Sequence, residues 1–537
     1  MRDHQAVIIE EFKGLWVRGA SDSVPANHFI DATNISYNES GFESRSGIEP
    51  YIKPRIDGAR TVLRMYAFNV GLEGIITLDD IGDFHHIVNK VPHLILSVAT
   101  ADDFSMVVSN GRAYINPFSQ SGLNDYLYVY NGSFGPARRV GCAPPVNADG
   151  TMTAANNAAA GSVEAGIHIF GVVYETDSGF LTQIGPDTLP FVTAPGGQRV
   201  DLASISRSPN SFVIARHIVA TKAINPADFT GNTRGYEMFF VPGGTINDNT
   251  STTLTVSFYD SQLLQSAAGL FDLESSVANG GGGLAIYHNR LVVCGTGPAQ
   301  ARVSNPGEFE AFDKITGFLT LQNDGLGITT AQEYRDTLYV FKINETVAFT
   351  DNGDVPVSWP NVVIDEGLGA GIHGVVYIGT RTGTSSEYLL IHNLSGIFMF
   401  NGTFIRPELS YKIKDLWLSF DVIEVTRLVE FYNDTLHQII LLNIPSLKII
   451  LIGNYANGLT PETIRWARWS FLIRTNSIML FERTNKLLIG SQNVGSAAGD
   501  GIYVNNIAKL NDEIFNGDVL TTINAVTKSV TFYLVGD

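Results

Sequence analysis

Three segments of this chain share a glycine-leucine core at a fixed interval. GGGLAIYHNRLVVCG, NDGLGITTAQEYRDTLYVF and DEGLGAGIHGVVYIG carry Leu284, Leu326 and Leu368, each 42 residues from the next. Self-similarity at such a period marks a repeat architecture, in which one supersecondary unit buries its apolar faces only against its neighbours. Each copy runs on into a β-branched or aromatic stretch of strand type. The third copy contains GAGIHG, Gly369 to Gly374, which fits the dinucleotide fingerprint GxGxxG. That fingerprint works only where a strand turns tightly into a helix whose N-terminus receives a pyrophosphate. Here the sister copies lack it and a strand follows, so the glycines read as turn residues and no nucleotide site is expected.

A second signature accompanies the first. Tyr287-His288-Asn289-Arg290-Leu291, Tyr334-Arg335-Asp336-Thr337-Leu338 and Tyr432-Asn433-Asp434-Thr435-Leu436 each place an aromatic residue, polar residues and a leucine as a tight hairpin feeding an apolar strand would. Weaker echoes are SNGRAYI and RTNKLLIG, and YLYVYNGSF, GIFMFNGTF and GIYVNN form a third element. Units of this length with about four short strands are what a β-propeller blade requires. The sequence therefore predicts an all-β chain, a β-propeller of about seven blades interrupted by an inserted β-sandwich, although six or eight blades also fit. The blades fall near 61–95, 100–146, 284–325, 326–367, 368–422, 423–472 and 473–512.

The expected domains are an N-terminal region at 1–60 for partner contact or ring closure, first blades at 61–146, and a linker and sandwich at 147–279. The remaining blades occupy 280–512 and C-terminal strands 513–537. NADGTMTAANNAAAGSVEAG, rich in small residues, reads as the linker. The segments beyond it, from GIHIFGVVYETDSGF to TTLTVSFYD, alternate as sandwich strands do.

Composition narrows the function classes. Charged residues are only 16% of the chain, while 53 glycines, 31 phenylalanines and 20 tyrosines suit a turn-rich β protein. With 35 Lys and Arg against 53 Asp and Glu the net charge is −18. That balance argues against a protein gripping nucleic acid by its phosphates, which needs basic side chains to release counterions. Cys142 and Cys294, the two cysteines, form neither a disulfide framework nor a zinc site and read as small buried hydrophobes. MRDHQAVIIEEF lacks a basic region followed by an apolar run, so no signal peptide is expected. HQIILLNIPSLKIILIGNY, broken by Pro445 and Lys448, reads as two buried strands and not a membrane span.

Motifs that carry chemistry are missing. The chain has no GxSxG elbow, GxxxxGK[ST] loop, HExxH or EF-hand loop. His85-His86 reads as part of a loop, since adjacent residues on a strand face opposite ways and cannot share a metal. The acidic pairs Asp79-Asp80, Asp102-Asp103 and Asp365-Glu366 sit beside turn residues and read as solvated loops. No catalytic residue, cofactor or metal is expected, and the protein reads as a non-enzyme.

The N-terminal stretch FKGLWVRGASDSVPANHFIDATNISYNESGFESRSGIEPY combines Gly14, Pro25, Asn34 and the close Gly41-Phe42-Glu43-Ser44-Arg45-Ser46-Gly47. It resembles the opening of the tail nozzle proteins of short-tailed bacteriophages, also called tail tubular protein B or tail hub. RVSNPGEFEAFD, LYVFKINETVAFT and GIFMFNGTF are similar to phrases in those propellers. The resemblance implies a structural virion protein assembled in the host cytoplasm, six copies of which ring the DNA channel below the portal and adaptor. Its partners would be those proteins, tail fibres or spikes, and passing double-stranded DNA held without specific binding, with no membrane insertion. An acidic lumen would repel phosphate so that DNA slides. Trp16, Arg18 and Arg45 are the candidate partner-interface residues. Two rivals stay open at this point: a glycan-binding or glycan-cleaving propeller, and a propeller scaffold for other proteins.

Overall fold

The computed structural model describes residues 13–531 apart from 19–24, 26–27, 29–30, 39–40, 45–46, 53–59, 71, 124, 298, 379–386, 472–473, 482–485, 493–500, 507–511, 517–518 and 524–529. Within them the chain is all-β and built largely from four-stranded antiparallel sheets. Its single α-helix among the described residues is Lys414–Leu418, and no described helix is long and apolar enough to cross a membrane.

Seven sheets follow one another as simple meanders. Sheet one comprises Val62–Val70, Leu72–Asp79, Asp83–Val88 and Val91–Ser97, and sheet two Asp103–Ser109, Arg112–Phe118, Tyr128–Tyr130 and Arg138–Arg139. Sheet three comprises Leu284–Tyr287, Arg290–Gly297, Gln300–Asn305 and Glu308–Phe312, with Phe318–Thr320 also paired to Gln300–Asn305. Sheet four is Thr330–Tyr334, Thr337–Phe341, Thr346–Phe349 and Asn361–Asp365; sheet five is Val375–Ile378, Tyr388–Asn393, Gly396–Phe400 and Phe404–Ile405. Sheet six holds Glu430–Asp434, Ile439–Ile444, Ile449–Asn454 and Arg465–Ser470. Sheet seven takes three strands from Arg474–Phe481, Lys486–Gln492 and Gly501–Asn506, and its fourth, Gly47–Pro50, from the other end of the chain.

Period-two alternation explains how these sheets pack, because successive side chains on a strand leave on opposite faces. Ile75 enters the core shared with sheet seven, beside Met479 and Leu488, and its neighbour Ile76 enters the core shared with sheet two, beside Phe104 and Ile115. Val292 and Val293 divide in the same way between sheets four and two, Leu389 and Leu390 between four and six, and Leu441 and Leu442 between seven and five. Each sheet thus buries both faces, one against the sheet before it and one against the sheet after. Hydrogen bonds mark the same seams. Asn116 donates to the Gly280 and Gly282 carbonyls, Gly283 N–H to Thr329, the Thr329 hydroxyl to Ala370, Ile372 N–H to Thr426, Asn443 to Thr475, and Asn476 to Val62.

Between sheets two and three lies a separate pair of sheets. One contains Thr153–Val163, Gln198–Ala203 and Leu254–Val256; the other contains Phe191–Ala194, Gly166–Thr176, Val213–Ala220 and Phe239–Ile246. They share a core that includes Val163, Phe170, Val172, Val200, Leu202 and Phe258.

Several local expectations are met. Pro445–Leu447 and Lys448, at φ 57°, turn the apolar run into the two buried strands Ile439–Ile444 and Ile449–Asn454. The turns His288-Asn289 and Arg335-Asp336 have φ of 45° and 57°, and 49° and 63°, the left-handed pair of a two-residue hairpin. Both cysteines are buried. Others fail. The small-residue stretch is no linker, because Thr153–Val163 is an 11-residue strand whose exposed positions simply need no bulk. His85 and His86 lie on the strand Asp83–Val88, both buried, not in a loop. The third hairpin is wider than its sisters, since Thr435 to Gln438 separate its strands.

The GAGIHG glycines are needed for close approach. A Cβ at Gly369 would lie 1.8 Å from the Lys342 carbonyl oxygen, and the segment leads into the strand Val375–Ile378. Gly369→Ala should therefore lower stability by about 1–3 kcal/mol through forced backbone movement. Gly327→Ala, where an added Cβ meets nothing within 4 Å, should stay within about 0.5 kcal/mol of the parent. Urea denaturation of both variants checks the contrast.

Candidate functional site

Charged side chains converge where the first strands of the sheets come together. Arg64 leaves the strand Val62–Val70 between apolar neighbours and lies in the interior, its side chain 3% exposed. Its Nε donates to Asp103 Oδ1 at 2.7 Å and one terminal nitrogen to Asp103 Oδ2 at 2.9 Å. The other terminal nitrogen is 2.6 Å from Glu430 Oε1. One guanidinium on sheet one thus holds carboxylates from sheets two and six. Sheet seven closes round Glu430, whose oxygens accept from the Ser477 hydroxyl at 2.8 Å and the Ile478 N–H at 2.5 Å. Ser477 in turn accepts from the Met65 N–H, back on sheet one.

His373, just before sheet five, completes the cluster. Its Nε2 is 3.0 Å from Asp103 Oδ2 and its Nδ1 is 3.1 Å from the Tyr66 hydroxyl. Burial pushes the Tyr66 hydroxyl far above its ordinary range, so it stays protonated and donates to Nδ1, leaving Nε2–H to donate to Asp103. Burial alone would raise Asp103 as well; Arg64 and His373 overcome it and hold that carboxyl well below its ordinary value. For Glu430 burial wins over Arg64 and the pKa is raised. Burial opposes the Arg64 charge too, but Asp103 and Glu430 outweigh it and push the pKa well up.

Two cavities border this cluster, one lined in part by Arg64 and Asp103 and the other by Tyr66, His373 and Glu430. One, about 250 Å³, is lined by Leu63, Asp102, Gln120, Arg427 and Arg474 among others; the second, about 210 Å³, by Tyr66, Met106, Gln332, His373 and Tyr432. Both are smaller than the roughly 300–1,000 Å³ of ordinary small-molecule sites. Arg64 stands where a cation between two carboxylates would stand, so the cluster has no place for a metal. A nucleophile with a free general base is likewise missing from it: Tyr66 is held neutral, and each carboxylate is bound to the guanidinium.

Sequence reasoning missed this cluster. It placed Asp102-Asp103 in a solvated loop, and Asp103 is instead the buried first residue of a strand. The signal available was a lone charge inside an apolar strand, Arg64 in VLRMYAF and Glu430 in LVEFYND, since such a charge must face a partner. Asp79 is also buried and caps the turn into Asp83, accepting from the Ile81 and Asp83 N–H groups. Asp365 accepts from the Gly367 and Leu368 N–H groups and so shapes a turn. The interface candidates Trp16 and Arg18 meet inside the chain: Arg18 stacks 3.5 Å over the Tyr411 ring, and Trp16 packs edge-on to His28 and Tyr411. Arg45 lies outside the described residues.

Removing the guanidinium leaves two buried carboxylates without a counterion. Arg64→Leu should cost about 3–5 kcal/mol in urea denaturation. Acid sensitivity has a separate origin. His86 accepts or donates at 2.8 Å to Tyr130, and burial, with His93 nearby, lowers its pKa from 6.5 to about 4. The unfolded chain therefore takes up the proton first. The resulting stability is complete above pH 6.5 and lost as the pH falls toward 4, at about 1.4 kcal/mol per unit. Asp103 acts in the same direction lower down, from its ordinary value of 3.8 downward. His86→Gln should lessen the slope of stability against pH between 6.5 and 4 without abolishing it, because burial also lowers the buried His392 from 6.5 to about 3.

No protein-family model matches the chain, and no curated protein matches it. Among solved structures it is similar to the C-terminal WD40 domain of Sif2, at 9% identity and TM-score 0.34 over 86% of this chain and 99% of that one. The WD40 repeats of RRP9 align at 7% identity and TM-score 0.31, over 85% of this chain and 98% of that one. BamB from Moraxella catarrhalis aligns at 10% identity and TM-score 0.31, over 86% and 97%. The sheet topology, and not this likeness, carries the description of the fold.

Proposed function

We propose that the seven sheets are the blades of one closed β-propeller, that the paired sheets between blades two and three are an inserted β-sandwich, and that the protein is a structural ring subunit of a phage tail nozzle. The seam-by-seam packing of sheet seven back onto sheet one, through Val62, Met65, Met479 and Leu488, supports the closure. A blade whose last strand comes from the opposite end of the chain locks the ring, because opening it means stripping Gly47–Pro50 from Gly501–Asn506.

The observation that carries the functional reading is the outer edge of sheet four. Among the described residues Asn361–Asp365 pairs on one side only, and its Val362 and Val363 are 64% and 45% exposed. Val355, Val357 and Ile315 extend the apolar surface beside it, joined by the Val357 N–H donating to the Thr316 carbonyl. Soluble folds normally blunt such an edge with charge, proline or a bulge; this strand has an irregularity between Val363 and Asp365 and still leaves its valines in solvent. Left apolar, it suits a permanent neighbour in an assembly. The glycan-cleaving alternative needs carboxylates free to act at the axis, and here Asp103 and Glu430 are both bound to Arg64.

Mass photometry of the purified chain with a portal–adaptor complex tests the reading. The expected outcome is a closed ring, six copies on the nozzle reading, and Val362→Lys with Val363→Lys should stay folded yet fail to enter it. A parent chain that remains monomeric beside the portal and adaptor, or a double variant that assembles as the parent does, overturns the proposal.

A further inference from the structure

We propose a binding site for a first-row divalent cation at the hairpin tips of sheets three and four, formed by His288, Glu333 and Asp336. One imidazole nitrogen and one carboxylate oxygen from each acid lie within 4.8 Å of one another. His288 is the first turn residue of its hairpin and Asp336 the second turn residue of the next, so the repeat sets two equivalent tips side by side with ligating side chains on both. His288 Nε2 is already 2.6 Å from Asp336 Oδ1. Ligands bonded at about 2.0–2.2 Å to one ion sit roughly 3.3 Å apart, so this contact need open by less than about 1 Å to admit it. The Asp336 side chain is 85% exposed and has room to make that movement.

What separates this cluster from an ordinary surface contact is how its imidazole is held. The ring stacks on Tyr287 with centroids 4.1 Å apart and planes 19° from parallel. Its far nitrogen, Nδ1, faces Asp351 Oδ2 at 3.7 Å. At that distance no hydrogen bond is made, but a closure of less than about 1 Å would let Asp351 accept the Nδ1–H as the carboxylates that orient metal-binding histidines do. Asp351 is itself fixed: its side chain is 11% exposed, it accepts from the Gly353 N–H, and Arg290 Nε lies 3.6 Å away. The Tyr287 hydroxyl accepts from the Asp351 N–H at 3.0 Å and donates to the Asp336 carbonyl at 3.3 Å, tying both tips together. The two ligating carboxylates balance a dication, and the imidazole selects zinc-like ions over magnesium. Three protein ligands leave further positions for water or for a group from another chain.

The inference does not depend on the proposed function and is tested on the full chain by calorimetric titration with ZnCl₂, and with MgCl₂ as competitor. The parent should take up one equivalent of Zn²⁺ at a component that His288→Ala removes and that Glu333→Gln and Asp336→Asn each weaken at least about tenfold. Asp351→Asn touches no metal and should weaken uptake roughly tenfold through the orientation of His288. His437→Ala should change nothing: it forms a second surface pair with Asp434 at 2.6 Å but belongs to no three-ligand group among the described residues. Circular dichroism confirms that each variant is folded. Absence of saturable uptake, uptake that survives His288→Ala, or equal competition by Mg²⁺ overturns the assignment.

Discussion

The fold depends on one buried guanidinium. Arg64 binds Asp103 of sheet two and Glu430 of sheet six, with His373 before sheet five and Ser477 of sheet seven on the outer sides of those carboxylates. Five parts of the chain, up to 412 residues apart in sequence where Met65 meets Ser477, are pinned at one point. Apolar layers between sheets are interchangeable in kind, since any Leu- and Val-rich face packs on any other. A charge cluster is not, because a misregistered sheet would leave an ion buried alone. Well-packed apolar residues of the same volume would be as stable or more so. The cluster's bonds are all made in this arrangement of the sheets, so it discriminates against misregistered packing more than it adds net stability.

How much of this could be read from the chain follows from which interactions leave a periodic trace. Packing of sheet on sheet does, since Ile75 and Ile76 or Leu441 and Leu442 must serve opposite neighbours and so give continuous apolar runs. Tight hairpins do as well, because His288-Asn289 and Arg335-Asp336 need left-handed backbone in the same place of each unit. The Arg64 cluster occurs once and leaves no repeat, and the partners of Arg64 lie 39 and 366 positions away. Asp103 was misread because its neighbour Asp102 does serve a turn, accepting from the Gln120 N–H, and two adjacent acids on a strand end need not share a fate. Thr153–Val163 was misread because small residues suggest a linker, whereas a strand that faces solvent on one side and pairs through its backbone requires little of its side chains.

The two extra sheets enter the chain without disturbing this order. Their entry and exit run alongside each other: Leu127 N–H donates to Val277, Asp125 N–H to the Asn279 side chain, and Gly141 passes so close to Ser275 that a Cβ would meet its carbonyl oxygen at 2.9 Å. A segment that leaves and returns at one point closes no long loop in the surrounding sheets, and its length costs little. Arg138 then bridges three units, bonding Glu310 of sheet three and Asp177 of the insertion from its place on sheet two. The insertion is held by a charged clamp at its root.

The same clamp and the Arg64 cluster bear on the charge of the molecule. Arg64, Arg138 and the buried Lys342, which pairs with Asp324 and Glu345, spend basic side chains on internal partners. Each of these cations takes two carboxylates as partners, so the three sites hold three bases and six acids. The acidity of the subunit therefore comes from its excess of 53 Asp and Glu over 35 Lys and Arg, and not from where its cations lie. Under the proposed function, the genome would run between subunits along their outer walls. Walls on which carboxylates outnumber basic side chains offer a phosphate backbone few cations to release its counterions, so it slides past without sticking.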